Sequence, residues 1–231
     1  MAIPTSSINA IATVLYHSQV FNPKKWNIAV SQLDFNELLR TVDHLFEELN
    51  GSSISYLLVG GIAMLTYVEG RNTEDIDLIM RRPDLNHLEQ MVIAEENRDF
   101  VRANYQGLQV DLLLTQNALF EQVQQHYKTE IQWGNRRVPC ATPEGLVILK
   151  FYALPSLYQQ GKFDRAALYE TDILQLAYNY NIQLESAIKV VASHVIASDL
   201  SEIHEIARDI EQRRQRMVRA QPSPSKDKLE P

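Results

Sequence analysis

Two successive glycines, Gly60-Gly61, close the short apolar run Ile54-Ser-Tyr-Leu-Leu-Val59, and after thirteen intervening residues stands the acidic pair Asp75-x-Asp77. This stretch constrains the fold more than any other. The run before the glycines is rich in β-formers, which predicts a buried strand. The diglycine breaks it, and residues 62–68 predict a short helix ended near Gly70. Asp75-Ile-Asp-Leu-Ile-Met80 alternates polar and apolar side chains, which predicts a second strand. Residues two apart on a strand share a face, roughly 6–7 Å apart. Asp75 and Asp77 therefore project together, while Ile76 and Leu78 anchor the strand on its other face.

A third acid, Asp111, lies in Val110-Asp-Leu-Leu-Leu114. A carboxylate among apolar strand residues is costly to bury unless it is paired or metal-bound. If its strand neighbours the first acidic one, Asp75, Asp77 and Asp111 form one cluster of oxygen ligands suited to divalent cations. Gly60-Gly61, at a strand-to-helix turn, would let a phosphate chain approach the backbone. No G-x-G-x-x-G is present, and Gly161-Lys162 lacks the rest of a P-loop. Each signal also has a plain reading: a turn for the glycines, a solvated strand edge for Asp75-x-Asp77. Their order and joint spacing carry the functional one.

Around this centre, apolar residues at three-to-four spacing predict a helix over 32–50, stopped by Asn50-Gly51. Residues 84–96 are expected to be helical. Segments 100–105 and 108–114 flank Gln106-Gly107 as a hairpin. Residues 117–127 predict a helix, and 131–133 with 136–141 a second hairpin around Gly134-Asn135. Pro143 opens another helix through 154. Beyond Arg165, strand signals give way to helices. The expected organisation is an N-terminal helical extension (1–50), an α/β catalytic core (51–141), a helical C-terminal region (142–219) and a disordered tail (220–231).

Composition sets outer bounds. Hydrophobic residues are 45% and charged residues 22% of 231, globular values that argue against a largely disordered chain. A net charge of −7 excludes a general basic coat for indiscriminate nucleic-acid binding. The local run Arg213-Arg-Gln-Arg-Met-Val-Arg219 reads as cationic capping of a terminal helix or as an RNA contact. One cysteine, Cys140, excludes an internal disulfide framework and a multi-cysteine zinc site. His204-Glu205 lacks the second histidine of a zinc-protease motif, since Arg208 stands there. The first residues lack the basic n-region of a signal peptide, and no apolar run approaches the roughly 18 residues of a membrane span. A soluble, cytoplasmic protein without membrane partners is expected.

Gly60-Gly61, Asp75-x-Asp77 and the later Asp111 together resemble the nucleotidyltransferase superfamily that includes DNA polymerase β. The further pattern Arg71-x-Thr73-x-Asp75-x-Asp77, then Thr142-Pro-Glu-Gly-Leu-Val-Ile-Leu-Lys150, resembles its AbiEii/MenA-like group, toxin components of bacterial toxin–antitoxin and phage-defence modules. The resemblance covers residues 56–176. It implies a polymerase-β-like α/β (α+β) core with a mixed sheet, followed by C-terminal helices. It also implies that Asp75 and Asp77 ligate magnesium, two ions in all, and that Asp111 completes the site and can help deprotonate the acceptor. Gly60, Gly61, Arg71, Thr73 and Lys150 would contact the NTP. Arg165 and Asp172 are the nearest counterparts of a basic residue and an acid on the next helix, at loose spacing. The implied reaction transfers NMP from an NTP, such as ATP, to a hydroxyl and releases pyrophosphate. The acceptor implied is RNA such as tRNA, and an antitoxin partner is implied with it. A small-molecule acceptor of the aminoglycoside type, or a non-catalytic nucleotide-binding module, are the alternatives.

Overall fold

A computed structural model describes residues 8–21, 34–52, 54–69, 73–133 and 136–220. Helix α1 (Ile8–Phe21) packs on α2 (Phe35–Gly51). Asp34 starts α2 by accepting from the backbone N–H of Asn36 at 2.8 Å, the usual N-cap chemistry. The helix then buries Leu38, Val42, Leu45, Phe46 and Leu49, the face that the spacing predicts. Strand β1 (Tyr56–Val59) runs into the six-residue helix α3 (Gly60–Leu65). Next come β2 (Ile76–Met80), a 3-10 turn (Arg82–His87), β3 (Met91–Glu96), β4 (Phe100–Tyr105) and β5 (Leu108–Leu114). Helix α4 (Ala118–His126), the hairpin β6 (Lys128–Trp133) and β7 (Arg136–Ala141), and α5 (Pro143–Gln159) follow.

The seven strands form one sheet in the order β3-β4-β5-β2-β1-β7-β6. The pairs β2/β5 and β1/β7 are parallel and the others antiparallel, so the sheet is mixed, as the α/β fold class expects. Ile76, Leu78 and Met80 lie level with Val110, Leu112 and Leu114 and share one fully buried face. Tyr105, on that face, bonds through its hydroxyl to His44 of α2. The opposite face carries Asp77 and Asp111, with the buried Ile79 further along it.

The segment expected to be a helix over 84–96 is instead the 3-10 turn followed by the edge strand β3. Leu85 and Leu88 are the only apolar residues buried there, too few for a helical stripe, whereas Val92-Ile93 pairs with the open edge of β4. Helix α5 continues past Pro155, where the expectation ends at 154. Proline removes one intrahelical hydrogen bond, but Leu157 beyond it is buried and holds the last turn. The turn residues Gly134-Asn135, the end signal Gly70 and the tail from 221 lie outside the described residues.

The chain divides into two compact units, residues 1–149 and 150–231. In the second, α6 (Phe163–Asn179), α7 (Leu184–Val191) and α8 (Ala197–Ala220) pack around Ile173, Leu176, Ile188, Val191, Ile203 and Ile210. Arg214 donates to the carbonyl of Ile182 at 3.0 Å, and Arg213 pairs with Glu170 at 3.5 Å. No helix among the described residues is long and apolar enough to cross a membrane.

Cys140 on β7 is fully buried, and burial pushes its thiol up to about 12. The reactive species is the thiolate. A disulfide reagent at pH 8 should therefore leave the folded protein unlabelled and label one thiol after unfolding in guanidinium. Labelling of the native protein within minutes would contradict the burial.

Candidate functional site: three carboxylates beside a diglycine turn

Asp77 and Asp111 face each other as direct register partners on the parallel strands β2 and β5. Asp75, two residues before Asp77, joins them. One carboxylate oxygen from each of the three can be chosen so that all lie within 4.8 Å of one another. Asp111 is buried, while Asp75 and Asp77 are half-buried, so the cluster opens on the side of the earlier pair. An all-carboxylate oxygen set is the donor chemistry that hard divalent cations such as magnesium take.

The diglycine is fitted to these acids. Val59 is the register partner of Asp77, which brings the end of β1 directly alongside. Gly60 has φ +63°, and a Cβ built on it would lie 1.8 Å from Asp77 Oδ2. A Cβ on Gly61 would lie 2.1 Å from Thr73 Oγ1, and the Gly61 N–H donates to Asp77 Oδ2 at 3.3 Å. Both positions exclude a side chain because Asp77 and Thr73 already occupy the space. Thr73 is buried, and its hydroxyl donates to Asp75 Oδ1 at 3.2 Å, which orients that carboxylate.

Two residues at the cluster escape a reading of the sequence alone. Arg102 on β4 is the register partner of Asp111 and grips it in two-pronged fashion: Nε to Oδ1 and Nη2 to Oδ2, each at 3.0 Å. The hydrogen bonds to Asp111 raise the Arg102 pKa above the usual arginine value, against an opposing effect of burial. Gln109 Nε2 donates to Asp75 Oδ2 and to Asp111 Oδ1, both at 3.3 Å, and so bridges two of the acids.

The structure thus brings together Gly60, Gly61, Thr73, Asp75, Asp77 and Asp111 in the first unit. Arg71 lies outside the described residues. Lys150 belongs to the second unit, where its ammonium is buried and donates to the buried carboxylate of Asp172 at 2.7 Å, with the Tyr169 ring centroid 4.2 Å away. Arg165 is exposed on α6. Of the two loosely spaced candidates, Asp172 is the one that engages the lysine.

Solved structures similar to this fold include the following two. A nucleotidyltransferase-like antigenic protein from Paracoccidioides brasiliensis is 17% identical, covering 72% of this chain and 91% of that one, at TM-score 0.45. ANT(2″)-Ia, in complex with adenylyl-2″-tobramycin, is 15% identical, covering 67% of this chain and 95% of that one, at TM-score 0.49. No family model matches the sequence, and no curated protein is similar to it in sequence.

Proposed function

We propose that this chain is a magnesium-dependent nucleotidyltransferase that moves NMP from an NTP to a hydroxyl group, with RNA such as tRNA as the acceptor. One observation carries the reading: Asp77 and Asp111 from adjacent parallel strands, with Asp75 just ahead of the first strand, meet beside a diglycine turn that has no room for a Cβ. An isolated acidic strand edge needs no such clearance.

In this reading the acceptor oxygen attacks the α-phosphorus. The new O–P bond forms as the bond to the β-phosphate oxygen breaks, and pyrophosphate leaves. Asp75, Asp77 and Asp111 would hold the magnesium. When bound, magnesium would offset charge on the attacking and leaving oxygens. Gly60 and Gly61 leave the backbone open to the phosphates. Gln109 and Thr73 keep Asp75 turned toward its partners. Both oxygens of Asp111 accept from Arg102, so a hydroxyl handing its proton to Asp111 would do so at a lone pair that Arg102 leaves open. Lys150 is the proposed phosphate contact of the second unit.

The RNA acceptor, and with it a toxin-type role and an antitoxin partner, rests on the sequence resemblance over residues 56–176. The basic run at the end of α8 adds less than its sequence promises. Arg213 and Arg214 are committed to Glu170 and to the Ile182 carbonyl, and Arg216 and Arg219 are the exposed cations.

The test mixes the protein with each α-labelled NTP, magnesium and total tRNA, and in parallel with tobramycin, using Asp77→Ala as control. Label entering tRNA with wild type and not with the variant is the expected result. Label entering the drug alone would replace the acceptor and keep the chemistry. Nucleotide binding with no pyrophosphate release under any condition would leave a binding module and remove the enzyme.

A further inference from the structure

Arg102 places a cation where a metal site needs its ligands free. Its guanidinium takes both oxygens of Asp111, the deepest of the three acids, at 3.0 Å each. The same side chain is a third exposed and has a second carboxylate within reach: Nη1 lies 3.5 Å from Glu95 Oε2, and Glu95 is itself largely exposed. Glu95 is the register partner of Arg102 on β3, so the two seats of the guanidinium are built into neighbouring strands. A two-pronged arginine–carboxylate contact satisfies the carboxylate geometrically as well as electrically. A divalent cation drawing on Asp111 meets that positive charge, and at Oδ1, which also accepts from Gln109 at 3.3 Å, it meets two donors already in place.

We propose that Arg102 is the resident counter-cation of the three-acid site. It neutralises and orients Asp111 before metal arrives, and yields at least one oxygen, turning toward Glu95, as a divalent cation enters. The contact therefore sets the metal affinity of the site as well as its shape. This inference rests on the metal-binding reading above. It makes Arg102 a positioning residue that opposes metal binding, the reverse of what loss of a merely structural residue would show.

The experiment titrates Mn2+ into the full chain without nucleotide, with free Mn2+ followed by electron paramagnetic resonance at fixed ionic strength. Wild type is compared with Arg102→Gln, Arg102→Lys and Asp77→Asn. Removing a positive charge a few ångströms from a divalent ion in a half-buried site should tighten Mn2+ binding about tenfold. Arg102→Lys keeps the charge but loses the two-pronged grip, and should tighten binding by about threefold; it also serves if the glutamine variant fails to fold. The thermal midpoint of Arg102→Gln should be lower than wild type without metal and should rise more on adding it. Binding lost in Asp77→Asn but no tighter in either Arg102 variant would overturn this inference and leave the metal site standing. No Mn2+ binding at millimolar concentration by wild type or by either Arg102 variant would overturn both.

Discussion

Gly60→Ala should reduce nucleotidyl transfer by at least about 100-fold, the scale that a misplacement near 1 Å imposes on a positioned reaction. It should also cost about 2–5 kcal/mol of folding stability, combining left-handed backbone strain with overpacking. The added methyl would sit 1.8 Å from Asp77 Oδ2, 2.2 Å from its Cγ and 2.6 Å from its Cβ. Those atoms belong to a strand side chain at its root, so the carboxylate cannot swing clear without leaving the cluster. Gly107 supplies the internal control. It too has a positive φ, +87°, in the Gln106-Gly107 turn, but nothing lies within 4 Å of its would-be Cβ. Gly107→Ala should show the backbone cost alone, about 1 kcal/mol, with transfer unchanged. Thermal melts and a pyrophosphate-release assay on both variants separate strain from displacement. If Gly60→Ala turns over at the wild-type rate, the placement of Asp77 is not what the reaction uses.

The site's chain-local parts were legible because they obey short-range periodicity. Asp75 and Asp77, two residues apart, do come together, although the strand begins at Ile76 and Asp75 lies in the bend before it, and the diglycine marks a break after an apolar run. That Asp77 faces Asp111 was not legible. Parallel pairing of β2 with β5 joins segments more than thirty residues apart and leaves no local mark in either. Arg102 carries no mark of its own, since an arginine alternating with Phe100 and Asn104 looks like a solvent-facing residue. Yet counting outward from the two-residue turn at Gln106-Gly107 sets Arg102 opposite Asp111, as the observed ladder does. Edge strand β3 carries no local strand signal because its outer residues are exposed: Val92 is 67% accessible, so no alternation betrays a strand. Its pairing with β4 supplies the stabilisation that its own pattern does not advertise.

Lys150 and Asp172 pose the remaining question, whether a buried ion pair holds helices together or serves the nucleotide. Lys150 is 5% exposed and Asp172 1%. Lys150→Met should destabilise the protein by about 3–5 kcal/mol, because it takes away a counter-charge 2.7 Å from the buried Asp172 carboxylate. Asp172→Leu should do the same to the buried ammonium, which also sits 4.2 Å from the centroid of the Tyr169 ring. The double variant Lys150→Met/Asp172→Leu replaces both charges by apolar side chains and should regain most of that loss, measured by urea unfolding. Transfer activity in this refolded background decides the role. If Lys150 supplies the phosphate contact, the double variant is stable and its NTP turnover stays about 100-fold or more below wild type, as loss of a charge aimed at the reacting phosphates would give. If turnover returns along with stability, the pair is architecture joining α5 to α6, and the triphosphate must find its cation elsewhere.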